Sequence, residues 1–230
     1  MNVFPKRSPS YGEFLRPVQQ AAALLLIFAG ILGPIGALAA DKPVKIVVLG
    51  DSLSAGYGLN VQDAFPSKLQ AALKAKGYAT EMINAGVSGD TATGGLERFD
   101  WSVPPDADAV ILELGANDAL RGVSPDVTRA ALDQILTKID ARKLPVLLAG
   151  MKSPPNMGPD YVTKFDAMYP ELAKKHGAIF YPFFLEGVAA NGQLNQRDGM
   201  HPNPQGVDVI VKNILPQVEE LIAKAKARAS

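Results

Sequence analysis

Short apolar runs alternate with longer amphipathic segments along most of the chain. Residues 44–49, 109–114 and 145–149 are nearly continuous aliphatic stretches, and residues 78–83 and 178–181 are weaker runs of the same kind. Continuous apolar runs are typical of strands that helices cover on both faces. The pattern therefore predicts an α/β domain in which strand–helix units build a parallel sheet.

Four amphipathic segments between and after these runs are predicted as helices. They are residues 63–76, a segment that begins at residues 124–126, residues 161–175, and a last segment that runs from residues 202–204 to Leu221. Pro216 lies inside the last segment and is expected to kink or split it. Ligands of open parallel sheets bind outside the carboxyl ends of the strands, so the loops after each run are the places to search for function.

The N-terminal segment has a different character. Three basic residues precede an apolar run over residues 21–33, and a small-x-small pattern follows at residues 37–39. This predicts a signal peptide over residues 1–39, cleaved to leave one domain over residues 40–230. A retained anchor is the alternative, but the run is shorter than the roughly 20 residues of a spanning helix. We expect an exported protein with no stable membrane anchor after cleavage.

Composition narrows the chemistry. Lys plus Arg (23) equals Asp plus Glu (23), so nucleic acid is not an expected partner. The chain has no cysteine, which excludes disulfides, thiolate nucleophiles and lipid attachment at a cysteine. Its two histidines, His176 and His201, are the natural candidates for a catalytic base.

A candidate nucleophile follows the first strong strand. Ser52 lies in Gly-Asp-Ser-Leu-Ser at residues 50–54, where the chain should turn toward the substrate crevice. A serine needs a base, and His201 lies in a glycine-containing loop with Asp198 three residues earlier, close enough to orient the imidazole. His176 precedes Gly177 at a predicted helix end, which favours a structural role.

Acyl transfer also needs hydrogen-bond donors for the oxyanion. Candidates are the N–H of Gly89 in a glycine-rich loop, the side-chain amide of Asn117 in Gly-Ala-Asn-Asp, and the N–H of Ser52. Taken singly, each of these segments is also typical of a turn.

Four segments, taken together, carry a family resemblance. Gly-Asp-Ser-Leu at 50–53, Ser-Gly-Asp at 88–90, Gly-Ala-Asn-Asp at 115–118 and Asp-Gly-Met-His-Pro at 198–202 resemble, in order, the four blocks of the GDSL or SGNH hydrolases. Flanking segments resemble the periplasmic branch of arylesterases, acyl-CoA thioesterases and lysophospholipases. One departure is Gly115-Ala116, where that branch often has two glycines.

The resemblance implies a flavodoxin-like three-layer α/β/α fold with a five-stranded parallel sheet. It implies a triad of Ser52, His201 and Asp198, and an oxyanion hole of Ser52, Gly89 and Asn117. It also places Leu120 and Arg121 beside the acyl groove. With the predicted signal peptide, it implies a bacterial protein that is periplasmic or secreted.

The expected activity is hydrolysis of small carboxylic esters or thioesters that carry an apolar acyl or aryl group, with no metal and no cofactor. Alternatives are a carbohydrate O-acetylesterase on the same fold, a non-catalytic periplasmic binding domain, and a cation site at Asp51, Asp90 and Asp118. Residues 151–159 and 183–185 are further candidate walls of the crevice; the alternative for residues 183–185 is packing beneath the last helix.

Overall fold

The described part of the chain is built on one parallel sheet. The computed structural model describes Met1 and residues 42–229. Within that range, five strands pair in the order β2-β1-β3-β4-β5, and every pair is parallel. The strands are β1 (Val44–Gly50), β2 (Thr80–Gly86), β3 (Ala109–Glu113), β4 (Val146–Ala149) and β5 (Ile179–Tyr181). This confirms the predicted five-stranded parallel sheet.

How continuously apolar each strand is depends on its position in the sheet. Every side chain of β3 and β4 is buried, because these strands have neighbours on both sides and helices on both faces. Strand β2 is an edge strand with half-buried and exposed side chains, so it lacks a continuous apolar run. The range predicted for this strand, residues 78–83, begins and ends earlier in the chain than the observed strand.

Eight α-helices and two short 3-10 helices connect and follow the strands in the described region. The helices are α1 (Ser52–Ala55), α2 (Phe65–Ala75), α3 (Ala92–Glu97), α4 (Phe99–Ser102), α5 (Ala116–Leu120), α6 (Pro125–Ala141), α7 (Pro159–His176) and α8 (Pro204–Ala229); the 3-10 helices are Val61–Asp63 and Pro155–Met157. Each of the four long helices carries a proline in its first turn, where the missing N–H costs nothing.

The helices form two groups, which gives three layers. Helix α2 packs against α8, and α6 packs against α3 and α7. The strand side chains between them, such as Ile46, Val47 and Ile111, are fully buried. The three-layer α/β/α prediction is therefore confirmed.

The last helix does not split at Pro216. It continues to Ala229, beyond the predicted end. A proline inside a helix costs about 3 kcal/mol. Val207, Ile210, Ile214, Val218 and Leu221 are buried along one face of this helix. Each such residue contributes about 1.5–3 kcal/mol on burial, which outweighs the proline.

All of these elements belong to a compact unit that begins at Lys42. Apart from Met1, the predicted signal peptide, residues 1–39, lies outside the described residues. Among the helices that are described, none is long and apolar enough to cross a membrane.

Candidate active site

Ser52 lies at the turn that leaves the central strand β1. The strand ends at Gly50, Asp51 caps helix α1 by accepting a hydrogen bond from the N–H of Leu53 (2.9 Å), and Ser52 is the first residue of that helix. A side chain at position 50 would collide with Ser54 and Glu113, so the glycine is required by packing. The turn thus exposes the Ser52 hydroxyl at the carboxyl edge of the sheet.

The structure brings Ser52, His201 and Asp198 into one hydrogen-bonded chain. His201 Nε2 lies 2.9 Å from Ser52 Oγ, and His201 Nδ1 lies 2.7 Å from Asp198 Oδ2. An ionised carboxylate can only accept, so Nδ1 carries the hydrogen and Nε2 of the neutral ring is left to accept from the serine hydroxyl. This is the tautomer that a general base requires.

Asp198 is held in its ionised form by its own loop. Its Oδ1 accepts the backbone N–H groups of His201 (3.0 Å) and Met200 (2.9 Å). These two bonds, together with the imidazole of His201, lower the pKa of Asp198 to about 2. The carboxylate is therefore charged over the whole range in which an esterase would work.

Tyr57 and Gln196 support the histidine loop, and neither was found from the sequence. The Tyr57 ring lies against the His201 ring, with the centroids 4.7 Å apart. Gln196 donates from Nε2 to the carbonyls of Tyr57 (2.7 Å) and Pro202 (3.0 Å), which ties the loop to the segment after the nucleophile. Tyr57 ends one of the flanking segments, residues 53–57, that carry the resemblance, but its contact with His201 was not predicted.

The predicted oxyanion donors lie in three separate segments. Asn117 is in α5 and donates one amide N–H from Nδ2 to Asp51 Oδ2 (3.0 Å), which leaves its second N–H available. The N–H groups of Ser52 and Gly89 have no protein acceptor within residues 42–229. Gly89 has a φ of 84°, a conformation that L side chains rarely adopt.

Two arginines hold the Gly89 loop. Arg121 donates to the carbonyl of Gly89 (2.7 Å), whereas the buried Arg98 binds Asp90 (2.6 Å). Arg98 also donates to the carbonyls of Gly50 (2.8 Å) and Ala85, at the ends of β1 and β2. Arg98 was missed from the sequence because no local pattern indicates that its side chain is buried or that it reaches Gly50, 48 residues earlier.

A cavity of about 400 Å³ opens beside Ser52, Asn117 and His201. Most of the other side chains in its wall are apolar: Leu53, Ala119, Leu120, Met151, Pro154, Pro155, Phe183, Leu185 and Met200. Leu120 is in the wall, but Arg121 and Gly89 are not among its lining residues. Of residues 183–185, Phe184 belongs to the buried core instead.

The three aspartates considered for a cation each serve a different protein contact. Asp51 binds Leu53 and Asn117, and Asp90 pairs with Arg98. Asp118 accepts from the N–H of Ala92 and from the hydroxyl of Thr128 (3.0 Å). Within the described residues, no group of three or more histidine or acidic side chains is arranged to hold a metal ion.

His176 lies apart from this cavity. It is the last residue of α7, and its two ring nitrogens contact Asp140 (2.6 Å) and Asp133 (2.7 Å) of α6. These contacts join two helices on the surface of the domain, as a structural histidine would.

Comparison with known proteins identifies the family of the chain. The model of the GDSL-like lipase/acylhydrolase family matches residues 48–209, and the chain belongs to this family.

Among its relatives, the arylesterase of Vibrio mimicus is 39% identical, with 73% of this chain and 84% of the relative covered. The thioesterase 1/protease 1/lysophospholipase L1 of Escherichia coli K12 is 38% identical, with 81% and 87% covered. The crystal structure of AlinE4, an SGNH-hydrolase family esterase, has 44% identity and a TM-score of 0.67, with 78% of this chain and 96% of that chain covered.

Proposed function

We propose that this protein is a serine esterase that hydrolyses carboxylic esters or thioesters through an acyl-enzyme at Ser52. The observation that carries the proposal is the hydrogen-bonded chain from Ser52 through His201 to Asp198 at the wall of an apolar cavity. Family membership and relatives named as an arylesterase and a thioesterase support the same reaction class.

The reaction takes two steps. Ser52 Oγ attacks the acyl carbonyl while His201 Nε2 takes its proton, and the resulting imidazolium donates that proton to the leaving alcohol or thiol. Water then attacks the acyl-enzyme, with His201 as base, and releases the carboxylic acid and free Ser52. Asp198 stabilises the imidazolium in both steps from 2.7 Å.

Three N–H groups are proposed to stabilise the tetrahedral oxyanion: the backbone donors of Ser52 and Gly89 and the side chain of Asn117. Removal of one such donor typically costs about 10²–10³ in kcat. Arg121 supports the Gly89 loop through the carbonyl of Gly89, which is a different role from the acyl contact expected from the resemblance.

The cavity favours an apolar acyl or aryl group. Its wall near Ser52 is formed largely by aliphatic, methionine and phenylalanine side chains, which gain free energy when they cover apolar surface. A carbohydrate O-acetylesterase is less well supported, because the exposed Trp101 lies on α4, outside the cavity lining. Export to the periplasm or medium is part of the proposal and rests on residues 1–39 alone.

The direct test is Ser52→Ala, measured against a short-chain chromogenic ester. We expect kcat/KM to fall at least about a thousandfold, as for other triad nucleophiles. Ser124→Ala is the matched control, since Ser124 precedes α6 outside the cavity lining. A purified Ser52→Ala variant that keeps more than a thousandth of the activity would exclude Ser52 as nucleophile.

Two further measurements separate the alternatives. A fluorophosphonate should label the wild type at Ser52, whereas a non-catalytic binding domain should not react. A panel of aryl esters, acyl thioesters, lysophospholipids and acetylated sugars should show higher kcat/KM for the apolar acyl donors. Preference for acetylated sugars would favour the O-acetylesterase.

A further inference from the structure

A second carboxyl group lies directly behind the nucleophile turn. Glu113 ends β3 and is paired in register with Gly50 of β1, one residue before Asp51. The side chains of Asp51 and Glu113 are both fully buried. The proposed acyl-transfer reaction does not involve Glu113.

The two carboxyl groups have unequal partners. Asp51 accepts from the N–H of Leu53 (2.9 Å) and from Asn117 Nδ2 (3.0 Å). Glu113 Oε2 lies 2.6 Å from Ser54 Oγ and accepts a long bond from the N–H of Asp51 (3.3 Å), whereas Oε1 is buried without a partner. Among the described residues, no cationic side chain hydrogen-bonds to either carboxyl group.

Two buried carboxylates without a cation cannot both be ionised at neutral pH. Burial, reinforced by the charge of Asp51, raises the pKa of Glu113 well above its usual value. Burial also raises the pKa of Asp51, but the bonds from Leu53 and Asn117 oppose this and leave it at about 6. At 2.6 Å the Ser54 hydroxyl donates to ionised Glu113 Oε2, and it can accept instead when Glu113 is protonated.

The surrounding titratable groups leave the pKa of Glu113 above the pKa of Asp51. His201 favours the charge of Asp51 when its ring is protonated, whereas Asp90 opposes that charge. Tyr169 of α7 lies on the other side, with its hydroxyl donating to the carbonyl of Leu114 (3.0 Å). The proton of the pair therefore belongs on Glu113.

We propose that Glu113 is a positioning residue: it carries the single proton of the Asp51–Glu113 pair, so that Asp51 stays anionic and fixes the side-chain amide of Asn117. An anionic Asp51 repels the amide oxygen and accepts only from Nδ2, which directs the second N–H of Asn117 away from Asp51. A neutral Asp51 could also bind the amide in the flipped orientation. The inference rests on the proposed function, since Asn117 is an oxyanion donor only there.

The proposal predicts an asymmetry between two isosteric substitutions. Glu113→Gln keeps the neutral state, so kcat should stay within about threefold of wild type. Asp51→Asn removes the charge that orders Asn117, so kcat should fall by about 10–100-fold with little change in KM. This loss is smaller than that for complete removal of an oxyanion donor, because Asn117 is still present. A purely structural pair would show no such difference between kcat and KM.

The experiment combines kinetics with infrared spectroscopy on the full-length purified protein. At about pH 8 exposed carboxyl groups are ionised, so a C=O stretch from a protonated carboxyl reports a buried acid. We expect this band in wild type and in Glu97→Gln, a matched control at the exposed end of α3, and its absence in Glu113→Gln.

Three outcomes would overturn the proposal: no protonated-carboxyl band in wild type, a band that persists in Glu113→Gln, or a tenfold loss of kcat in a Glu113→Gln variant with unchanged Tm. The wild-type spectrum needs no variant, so the test holds even if Glu113→Gln does not fold. Fluorophosphonate labelling of Ser52 is independent of the band. Failure to label would therefore refute the esterase proposal without affecting the assignment of the proton.

Discussion

Asp198→Asn is the sharpest probe of the proposed triad, because it keeps the shape of the side chain and changes its charge and its hydrogen bond to His201. The asparagine Oδ1 can still accept the N–H groups of Met200 and His201, so the loop keeps its geometry. What is lost is the negative charge 2.7 Å from His201 Nδ1. In addition, the new amide can donate to Nδ1, which favours the tautomer that cannot accept the proton of Ser52.

The size of the effect follows from the geometry. Two unit charges about 4 Å apart interact by about 4 kcal/mol at an effective dielectric constant near 20, which corresponds to about a thousandfold in rate. The Asp198 side chain is 32% exposed, so water screens part of this interaction. We therefore expect kcat to fall by about 100–1,000-fold. KM should change little, because the imidazolium exists only along the reaction.

The assay is kcat and KM for a chromogenic ester, with Tm measured on the same preparations. Asp160→Asn, in the exposed first turn of α7, is the control for a lost surface carboxylate. A loss of less than tenfold in a folded Asp198→Asn variant would refute the assignment of Asp198 as the orienting residue. Asp198→Ala should cost less than His201→Ala, since the latter removes the base itself.

The other predictions concern the cavity wall and the surface histidine. Leu120→Ala should weaken the preference for longer acyl chains by up to about fourfold per lost methylene contact, seen in kcat/KM against chain length. Arg121→Met should lower kcat about tenfold through the Gly89 loop with the same chain-length profile; a changed profile would instead place Arg121 in the acyl site. His176→Gln should lower the free energy of unfolding by about 1–2 kcal/mol at about pH 5, with the difference from wild type disappearing as pH rises.

The sign of the last prediction follows from the contacts of His176. Burial acts to lower the pKa of the imidazole, but the hydrogen bonds to Asp140 and Asp133 outweigh it, and the pKa is raised. The charged ring therefore stabilises the fold fully below the pKa of an unfolded histidine, and this contribution is lost as pH passes the raised value. Urea unfolding at several pH values measures it. A difference that grows with pH would contradict the assignment.

The sequence by itself determined the elements whose stability is local or strongly patterned. Strands β1, β3 and β4 were predicted because buried central strands must be continuously apolar. The long helices were predicted mainly from their 3.6-residue periodicity. The four motifs predicted the segments that carry Ser52, Asn117 and His201, since parallel strands direct their carboxyl ends to one edge.

Tertiary packing decided the remainder. Helices α3, α4 and α5 are only four to six residues long, too short for a periodic signal, and depend on their neighbours. The split expected at Pro216 did not occur because a buried face held α8 together.

The residues that hold the proposed catalytic residues in place could not be predicted from the sequence either. Tyr57 and Gln196 meet across 139 residues, and Asp51 and Glu113 meet across 62. Local patterns report which residues face inward, but not which distant residues share a buried space. For that reason the sequence predicted Ser52, His201 and Asp198 as a site, whereas only the fold revealed the second carboxyl group behind them.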